Sequence, residues 1–326
     1  MKRRAYRIFC IGMLMYMLSG SKTWTAQINQ EHVVAACHAF MPFHAYEQYK
    51  NDPYISELDF TKEAKYTGLF NFYTLIRCPI PAQLTEGWTF KPIFGKTGYA
   101  YTFINLEQES LIGVLGYNQF DKCITISFRG TQCFSDWCNN MTFTQKKVPD
   151  IDQEIFLHGG YMAIFENLKE ALADMLRTIC VSLDNEEQKK LSILITGHSL
   201  GGAVASVTVP FVKKFFPASL IRLITFGAPK VGKQNYNEWL GKNNIEVTSF
   251  VRKTDPAPYA PPSLLNFKLG TVVYLDHFYH FIWPLVHDMR YYLKAIVNLY
   301  NQDKASEEQV QYYDFYHLLL PWGIKL

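Results

Sequence analysis

The stretch that most constrains this chain is residues 191–209, LSILITGHSLGGAVASVTV, where a run of apolar and β-branched residues meets a run of small ones. The first part predicts a buried strand that ends near residue 196, and the second predicts a closely packed helix from residue 200. A turn this short forces strained backbone angles at its apex, and flanking glycines allow neighbouring backbones to approach. Ser199, at the apex, is therefore predicted to be exposed.

Gly197, Ser199 and Gly201 form the pattern G-x-S-x-G, which is typical of a nucleophile elbow. A motif this short also arises by chance, so its context decides its meaning. Here it follows a predicted strand, precedes a predicted helix, and is continued by Gly202 and Ala203, which suit close helix packing. Because serine alone is a weak nucleophile, a histidine base and an orienting acid are expected later in the chain, in the order Ser, Asp, His.

The acid is expected at the carboxyl end of a strand, and two aspartates fit that description. Asp255 follows a predicted strand over residues 247–252, and Pro256 stiffens the loop behind it. Asp276 follows the next predicted strand, 271–275, and lies beside two histidines. The position favours Asp255 as the acid, with Asp276 as the alternative.

Four downstream histidines compete for the role of base. His277 and His280 lie in the aromatic segment HFYHFIWP, where a histidine more often packs than titrates. His287 opens HDMRYYL, an apparent helix start, and a ring held just before a helix suits a base tied to Asp255. We therefore favour His287, with His280 and His277 as alternatives and His317 as a more distant one.

Alternating strands and helices predict an α/β fold with a mainly parallel central sheet covered by helices. The strands are expected at residues 112–117, 123–128, 191–196, 221–226, 247–252 and 271–275, and the longest helices at 161–183 and 200–216. With 326 residues, of which 48% are hydrophobic, the chain can bury a full core. We expect a segment over 22–94, with a helix near 31–49, to wrap the sheet, and a catalytic domain over 95–326.

The N-terminus has the pattern of a secretory signal peptide over residues 1–21. Four basic residues precede an apolar run over 8–18, and small residues follow it. An uncleaved anchor is the alternative, although the run is shorter than the roughly 20 residues of a spanning helix. Cleavage would remove four positive charges and turn the net charge from +3 to −1, so we expect a secreted protein with no nucleic-acid partner.

Six cysteines lie beyond the predicted signal peptide, an even number that fits disulfide pairing in an oxidising compartment. They are Cys37, Cys78, Cys123, Cys133, Cys138 and Cys180. Their spacing does not give the pairing, and buried thiols that act as small hydrophobic groups are the alternative. No His/Cys cluster has the spacing of zinc ligands, so neither a metal nor a cofactor is expected.

Residues 227–234, GAPKVGKQ, nearly match the phosphate-binding loop GxxxxGK[ST] and follow a predicted strand. Gln234 stands where that loop needs a hydroxyl for Mg²⁺, and Pro229 removes a backbone donor from the cradle. The segment therefore lacks the Mg²⁺ ligand and one backbone donor that a phosphate-binding loop needs, and no nucleotide partner is expected.

Several motifs in this order resemble the fungal-type (class 3) triacylglycerol lipases, a family of secreted α/β-hydrolases that act on acyl esters. They are ISFRGTQCFSDW at 126–137, LHGGY at 157–161, ITGHSLGGAVA at 195–205, TFGAPKVG at 225–232, TDPAPYAPP at 254–262 and HDMRYYL at 287–293. The resemblance implies a catalytic triad of Ser199, Asp255 and His287. This sequence departs from the family pattern at Asn140, where the family usually has an acidic residue, and in the short spacing between Asp255 and His287.

The resemblance also implies an oxyanion hole made by Thr131 and the backbone N–H of Leu200. It implies a short lid over residues 131–148, whose apolar face would include Phe134, Trp137 and Met141 and would open at a lipid–water interface or membrane surface. The expected substrates are lipid esters such as triacylglycerols. A phospholipase or another lipid acyl hydrolase, and a non-catalytic lipid-binding relative, are the alternatives.

Overall fold

The structure is a computed structural model that describes residues 28–51, 58, 65–66, 76–77, 87–96, 109–130, 144–149, 151, 154–261, 268–275 and 287–303. Several predicted features lie outside the described residues. They are the signal peptide over 1–21, Thr131, the lid residues Phe134, Trp137 and Met141, the alternatives Asp276, His277, His280 and His317, and Cys78, Cys133 and Cys138.

The helices of the described residues are α1 (Gln30–Asn51), α2 (Gly159–Val181), α3 (Asn185–Lys189), α4 (Leu200–Phe215), α5 (Gln234–Lys242) and α6 (Met289–Asp303). A 3₁₀ turn spans Ala257–Tyr259. The first seven strands are β1 (Lys65–Tyr66), β2 (Ile76–Arg77), β3 (Trp88–Lys96), β4 (Glu109–Asn118), β5 (Cys123–Phe128), β6 (Gln145–Lys147) and β7 (Phe156–His158). The remaining strands are β8 (Ser192–His198), β9 (Leu220–Phe226), β10 (Ile245–Val251) and β11 (Thr271–Tyr274).

The central sheet has seven strands in the order β11-β10-β9-β8-β5-β4-β3. The five strands from β11 to β5 are parallel, and β4 and β3 continue the sheet in the antiparallel sense. The apolar residues of α2 and α4 form the core on one face, and those of α1 and α6 form the core on the other. The α/β-hydrolase fold predicted from the sequence is confirmed, and the carboxyl ends of the parallel strands meet at one edge.

Strand β3 extends the sheet further towards the N-terminus than the sequence predicts. It pairs with β4 and crosses the expected boundary between residues 94 and 95, so the wrapping segment contributes an edge strand. Lys91 and Pro92 interrupt the apolar pattern that would have revealed it. An edge strand tolerates Pro92, because a proline there need not donate to a further strand.

Helix α1 packs on the sheet and is joined to it by polar contacts as well as apolar ones. The hydroxyl of Ser127 on β5 donates to the carbonyl oxygen of His38 (2.8 Å), and Nδ1 of His38 lies 3.1 Å from Oγ1 of Thr125. All three residues are buried. Buried hydrogen bonds of this kind fix the position of the helix, because an unpaired polar group there would be costly.

Three cysteines fall within the described residues, and each is a free thiol: Cys37, Cys123 and Cys180. Burial raises the pKa of the Cys37 thiol to about 12, so this group acts as a small apolar side chain.

Among the helices of the described residues, none combines the length and apolar character needed to cross a bilayer.

Candidate active site

The turn between β8 and α4 has the strained geometry that its sequence predicts. Ser199 has φ 57° and ψ −128°, values that a residue with a Cβ atom seldom adopts. Its backbone N–H donates to the carbonyl oxygen of Phe226 on β9 (2.9 Å), which holds the strained peptide in place. The exposed hydroxyl predicted from the sequence is wrong, however, because Ser199 is only 1% exposed and the His287 ring lies against its oxygen.

The glycines around Ser199 are needed because a larger residue at these positions would overlap neighbouring atoms. A Cβ atom on Gly197 would lie 2.5 Å from the carbonyl carbon of Gly201, and one on Gly201 would overlap the carbonyl oxygen of Phe128. One on Gly202 would lie 2.7 Å from Cβ of Ala228. Each glycine thus permits the close approach of helix and sheet that the elbow requires.

The structure brings together the three residues of the predicted triad, one from each of three segments. Nε2 of His287 lies 2.6 Å from Oγ of Ser199, and Nδ1 lies 2.8 Å from Oδ2 of Asp255. Ser199 follows β8, Asp255 lies four residues after β10, and His287 lies two residues before α6. All three side chains are buried. The imidazole therefore has a hydroxyl on one nitrogen and a carboxylate on the other.

The carboxylate of Asp255 is held by two further donors. Its Oδ1 accepts the backbone N–H of Ala257 (2.9 Å), and its Oδ2 accepts the hydroxyl of Tyr292 (2.6 Å). Burial, with the Asp255 charge beside it, raises the pKa of Tyr292 well above its usual value, so the phenol stays a donor. A Cβ atom on Gly227 (φ +59°) would come within 2.9 Å of both Oδ2 and the phenol oxygen, so the space here admits no larger residue.

A second histidine, His198, packs beside His287 and was not predicted as a site residue. The two ring centroids are 4.7 Å apart, and the ring of His198 is 2% exposed. Neither of its ring nitrogens has a hydrogen-bond partner among the described residues. Burial, and then the neighbouring His287, lower the pKa of His198 well below its usual value, so it is a neutral neighbour of the imidazole.

The oxyanion-hole residues are described only in part. Leu200 begins α4 directly after Ser199, so its backbone N–H belongs to the first turn of that helix. Thr131 lies outside the described residues, but Gly130 before it reaches the elbow. A Cβ atom on Gly130 would lie 3.0 Å from the carbonyl oxygen of His198 and 3.3 Å from Cβ of Ser199.

No group of three or more His, Cys, Asp or Glu side chains in the described part of the chain is placed to hold a metal ion.

Two residues that contact the predicted triad, His198 and Tyr292, are not predicted as site residues from the sequence. Each lies within a quoted motif, at one residue before Ser199 and five after His287.

The sheet has the topology of an α/β-hydrolase fold. Ser199, His287 and Asp255 form a Ser–His–Asp arrangement at the carboxyl ends of its parallel strands. Residues 125–265 match the family described as Lipase (class 3). This match covers less than half of the chain, and over it the chain is similar to the class 3 lipases.

Two curated relatives are similar to part of this chain. Phospholipase A(1) DAD1, chloroplastic, of Arabidopsis thaliana is 30% identical over 154 residues, which are 44% of this chain and 34% of the relative. Secreted mono- and diacylglycerol lipase 1 of Fusarium solani is 29% identical over 152 residues, which are 45% of this chain and 42% of the relative. The matched region is thus less than half of either relative.

Solved lipase structures share the fold. The triacylglyceride lipase of Rhizomucor miehei superposes with a TM-score of 0.53 at 19% identity, covering 78% of this chain and 83% of that one. Lipase II from Rhizopus niveus superposes with a TM-score of 0.52 at 20% identity, covering 76% of this chain and 80% of that one.

Proposed function

We propose that this protein hydrolyses the carboxylic ester bonds of lipids, with Ser199 as nucleophile, His287 as base and Asp255 as the acid that orients the base. The observation that carries the proposal is the continuous set of contacts from Asp255 Oδ2 through the imidazole to Ser199 Oγ, at 2.8 and 2.6 Å. These are the hydrogen-bond distances that a nucleophile and its base require.

The reaction proposed from this geometry has two steps. In the first, Nε2 of His287 takes the Ser199 proton as Oγ attacks the ester carbonyl, and the same nitrogen then protonates the departing alcohol. In the second, His287 takes a proton from water as that water attacks the acyl carbonyl, and the imidazolium then returns the proton to Oγ of Ser199 as the acyl–Oγ bond breaks and the carboxylic acid leaves. Asp255 accepts a hydrogen bond from Nδ1–H throughout, which fixes the tautomer and stabilises the imidazolium.

We assign the oxyanion hole to the backbone N–H of Leu200 and to Thr131. A donor at the start of α4 is supported by the partial positive charge of a helix N-terminus, which favours the oxyanion. Replacing Thr131 by valine should lower kcat by roughly 10²–10³ with little change in KM, as the loss of one such donor typically does. An unchanged kcat would leave Thr131 as a turn residue only.

We also propose that residues 131–148 act as a lid, with Phe134, Trp137 and Met141 on its apolar face, and that the protein works at a lipid–water interface. The burial of Ser199, at 1% exposure, supports this idea, since a substrate needs a path to its hydroxyl. The test is activity against a short-chain ester below and above its solubility limit. A lid predicts a rise above that limit, and a proportional response to concentration alone contradicts it.

The proposed substrates are acylglycerols, with phospholipids as the alternative. The relatives named above include a phospholipase A(1) and a mono- and diacylglycerol lipase, so the family name alone does not choose between them. A non-catalytic lipid-binding relative is the third possibility, and it predicts binding without turnover.

One panel tests reaction and substrate class together. Emulsified triacylglycerol, monoacylglycerol, phosphatidylcholine vesicles and p-nitrophenyl esters are compared with wild type, Ser199→Ala and Ser219→Ala. Ser219 is a matched control, because it is a buried serine whose hydroxyl donates to the carbonyl oxygen of Gln188. Release of fatty acid by wild type and Ser219→Ala, but not by Ser199→Ala, supports the proposal. Equal release by all three proteins, or none by wild type, contradicts it.

For localisation we propose that residues 1–21 direct secretion. One relative is named as secreted and another as chloroplastic, so relatives alone do not decide the compartment. Expression of the full chain in a eukaryotic secreting host, with N-terminal sequencing of protein from the medium, tests it. A mature N-terminus at residue 22 is expected, and retention of the intact chain inside the cell contradicts it.

A further inference from the structure

A small pocket lies between α4, β9, β10 and the segment after Asp255, and none of the three proposed catalytic residues lines it. Its volume is about 20 Å³, which is room for one water-sized group. Three hydroxyl residues line it, Ser206, Thr225 and Ser249, together with two lysines, Lys230 and Lys268. Two lysine side chains that line one small pocket are the unusual feature.

Lys268 is held in place by aromatic side chains. Its Nζ lies 3.0 Å from the hydroxyl oxygen of Tyr274, 4.5 Å from the ring centroid of Tyr259 and 4.7 Å from that of Tyr274. Cation–π contacts of this kind fix an ammonium group without neutralising its charge. The position of the charge is therefore set before any ligand binds.

The charges of the two lysines are not balanced by a carboxylate. Burial lowers the pKa of Lys268 to about 8, and burial together with the Lys268 charge lowers the pKa of Lys230. Within the described ranges neither ammonium forms an ion pair with Asp or Glu, and the intervening residues 262–267, PSLLNF, contain no acidic side chain. Two half-buried cations without a counter-charge are costly, and an anion would offset that cost.

We propose that Lys230 and Lys268 form a binding site for a tetrahedral oxyanion of the phosphate or sulfate class. Two ammonium groups match the charge of a doubly charged anion, and both lysines line the same pocket. The phosphate comes either from free inorganic phosphate or from a lipid headgroup. The site does not depend on the proposed ester hydrolysis, because it shares no residue with the Ser–His–Asp constellation.

The direct test is isothermal titration of inorganic phosphate and of sulfate into the full chain at constant ionic strength, with chloride as the reference salt. The variants are Lys230→Met and Lys268→Met, which keep the length and apolar stem of the side chain. Lys213→Met is the matched control, since Lys213 is also a half-buried lysine whose pKa burial lowers. We expect saturable binding that weakens by about tenfold or more in either pocket variant and stays unchanged in Lys213→Met.

A second readout needs no variant. Amine acetylation of Lys230 and Lys268, followed by peptide mass spectrometry, should slow several-fold in the presence of phosphate, while acetylation of Lys213 should not. Vesicles of phosphatidylcholine with phosphatidic acid distinguish the two sources: protection by both vesicles and free phosphate indicates a general phosphate site, and protection by vesicles alone indicates a headgroup site. Absence of protection by either, or equal binding of phosphate by wild type and the pocket variants, overturns the proposal.

Discussion

The hydroxyl of Tyr292 donates to Oδ2 of Asp255 at 2.6 Å, and the same oxygen lies 2.8 Å from Nδ1 of His287. Tyr292 is itself fixed by the backbone N–H of Arg252, which donates to the phenol oxygen (3.2 Å). The carboxylate is thus held by Tyr292 of α6 as well as by its own loop. A substitution at Tyr292 should therefore alter the position of Asp255 and, through it, the orientation of the His287 ring.

Replacing Tyr292 by phenylalanine should lower kcat by about tenfold and leave KM nearly unchanged, because it removes a hydrogen bond to the carboxylate that we propose orients the base. Steady-state kinetics on a soluble ester measure this. Tyr236→Phe is the control, since Tyr236 is buried and its hydroxyl donates to the carbonyl oxygen of Ser206. Equal losses in the two variants would indicate a general effect on stability rather than positioning of Asp255.

His198 should tolerate a neutral replacement far better than a charged one. His198→Leu keeps similar volume and no charge, so kcat should fall less than about fivefold. His198→Lys places a cation beside His287, the ring that becomes positive in the proposed mechanism, so kcat should fall by 10² or more. Kinetics on variants shown to be folded by circular dichroism provide the measurement. Similar kcat values for the two would mean that the charge at this position is irrelevant.

Gly201→Ala should unfold the protein or cost more than about 3 kcal/mol of unfolding free energy, because the new Cβ atom would overlap the carbonyl oxygen of Phe128. Gly241→Ala is the matched control within helix α5. A Cβ atom there meets nothing within 4 Å, so it should stabilise the protein by about 0.5–1 kcal/mol. Urea denaturation compares the two. A Gly201→Ala protein as stable as wild type would refute this account of the elbow.

His158 should make stability depend on pH. It is 2% exposed, and burial lowers its pKa to about 4, against about 6.5 for an unfolded histidine. The unfolded state therefore binds more protons between these values, so the contribution is complete above pH 6.5 and is lost as the pH falls towards 4, to the extent of about 3 kcal/mol. In His158→Asn, which keeps an acceptor for the N–H of Gly160, the slope of unfolding free energy against pH should flatten over this range. An unchanged slope would contradict this.

The sequence alone predicts most strands of the sheet, because each has its own local apolar pattern, and it predicts the elbow, because the G-x-S-x-G motif lies in one continuous stretch. It does not predict β3, where Lys91 and Pro92 break the pattern. It also predicts an exposed Ser199, because a local motif does not show that a side chain 88 positions later will cover it. Tyr292 was missed for the same reason, since its role depends on a contact with Asp255 across the fold.

The assignment of nucleophile and base is tested most directly by the rate of covalent labelling with a fluorophosphonate, followed by peptide mass spectrometry. We expect an adduct on Ser199 in wild type and a labelling rate reduced by 10³ or more in His287→Ala, because the serine loses its proposed base. His277→Ala and His280→Ala are the controls and should label at nearly the wild-type rate. An adduct on another residue, or His287→Ala labelled as fast as wild type while His277→Ala or His280→Ala is not, would contradict it.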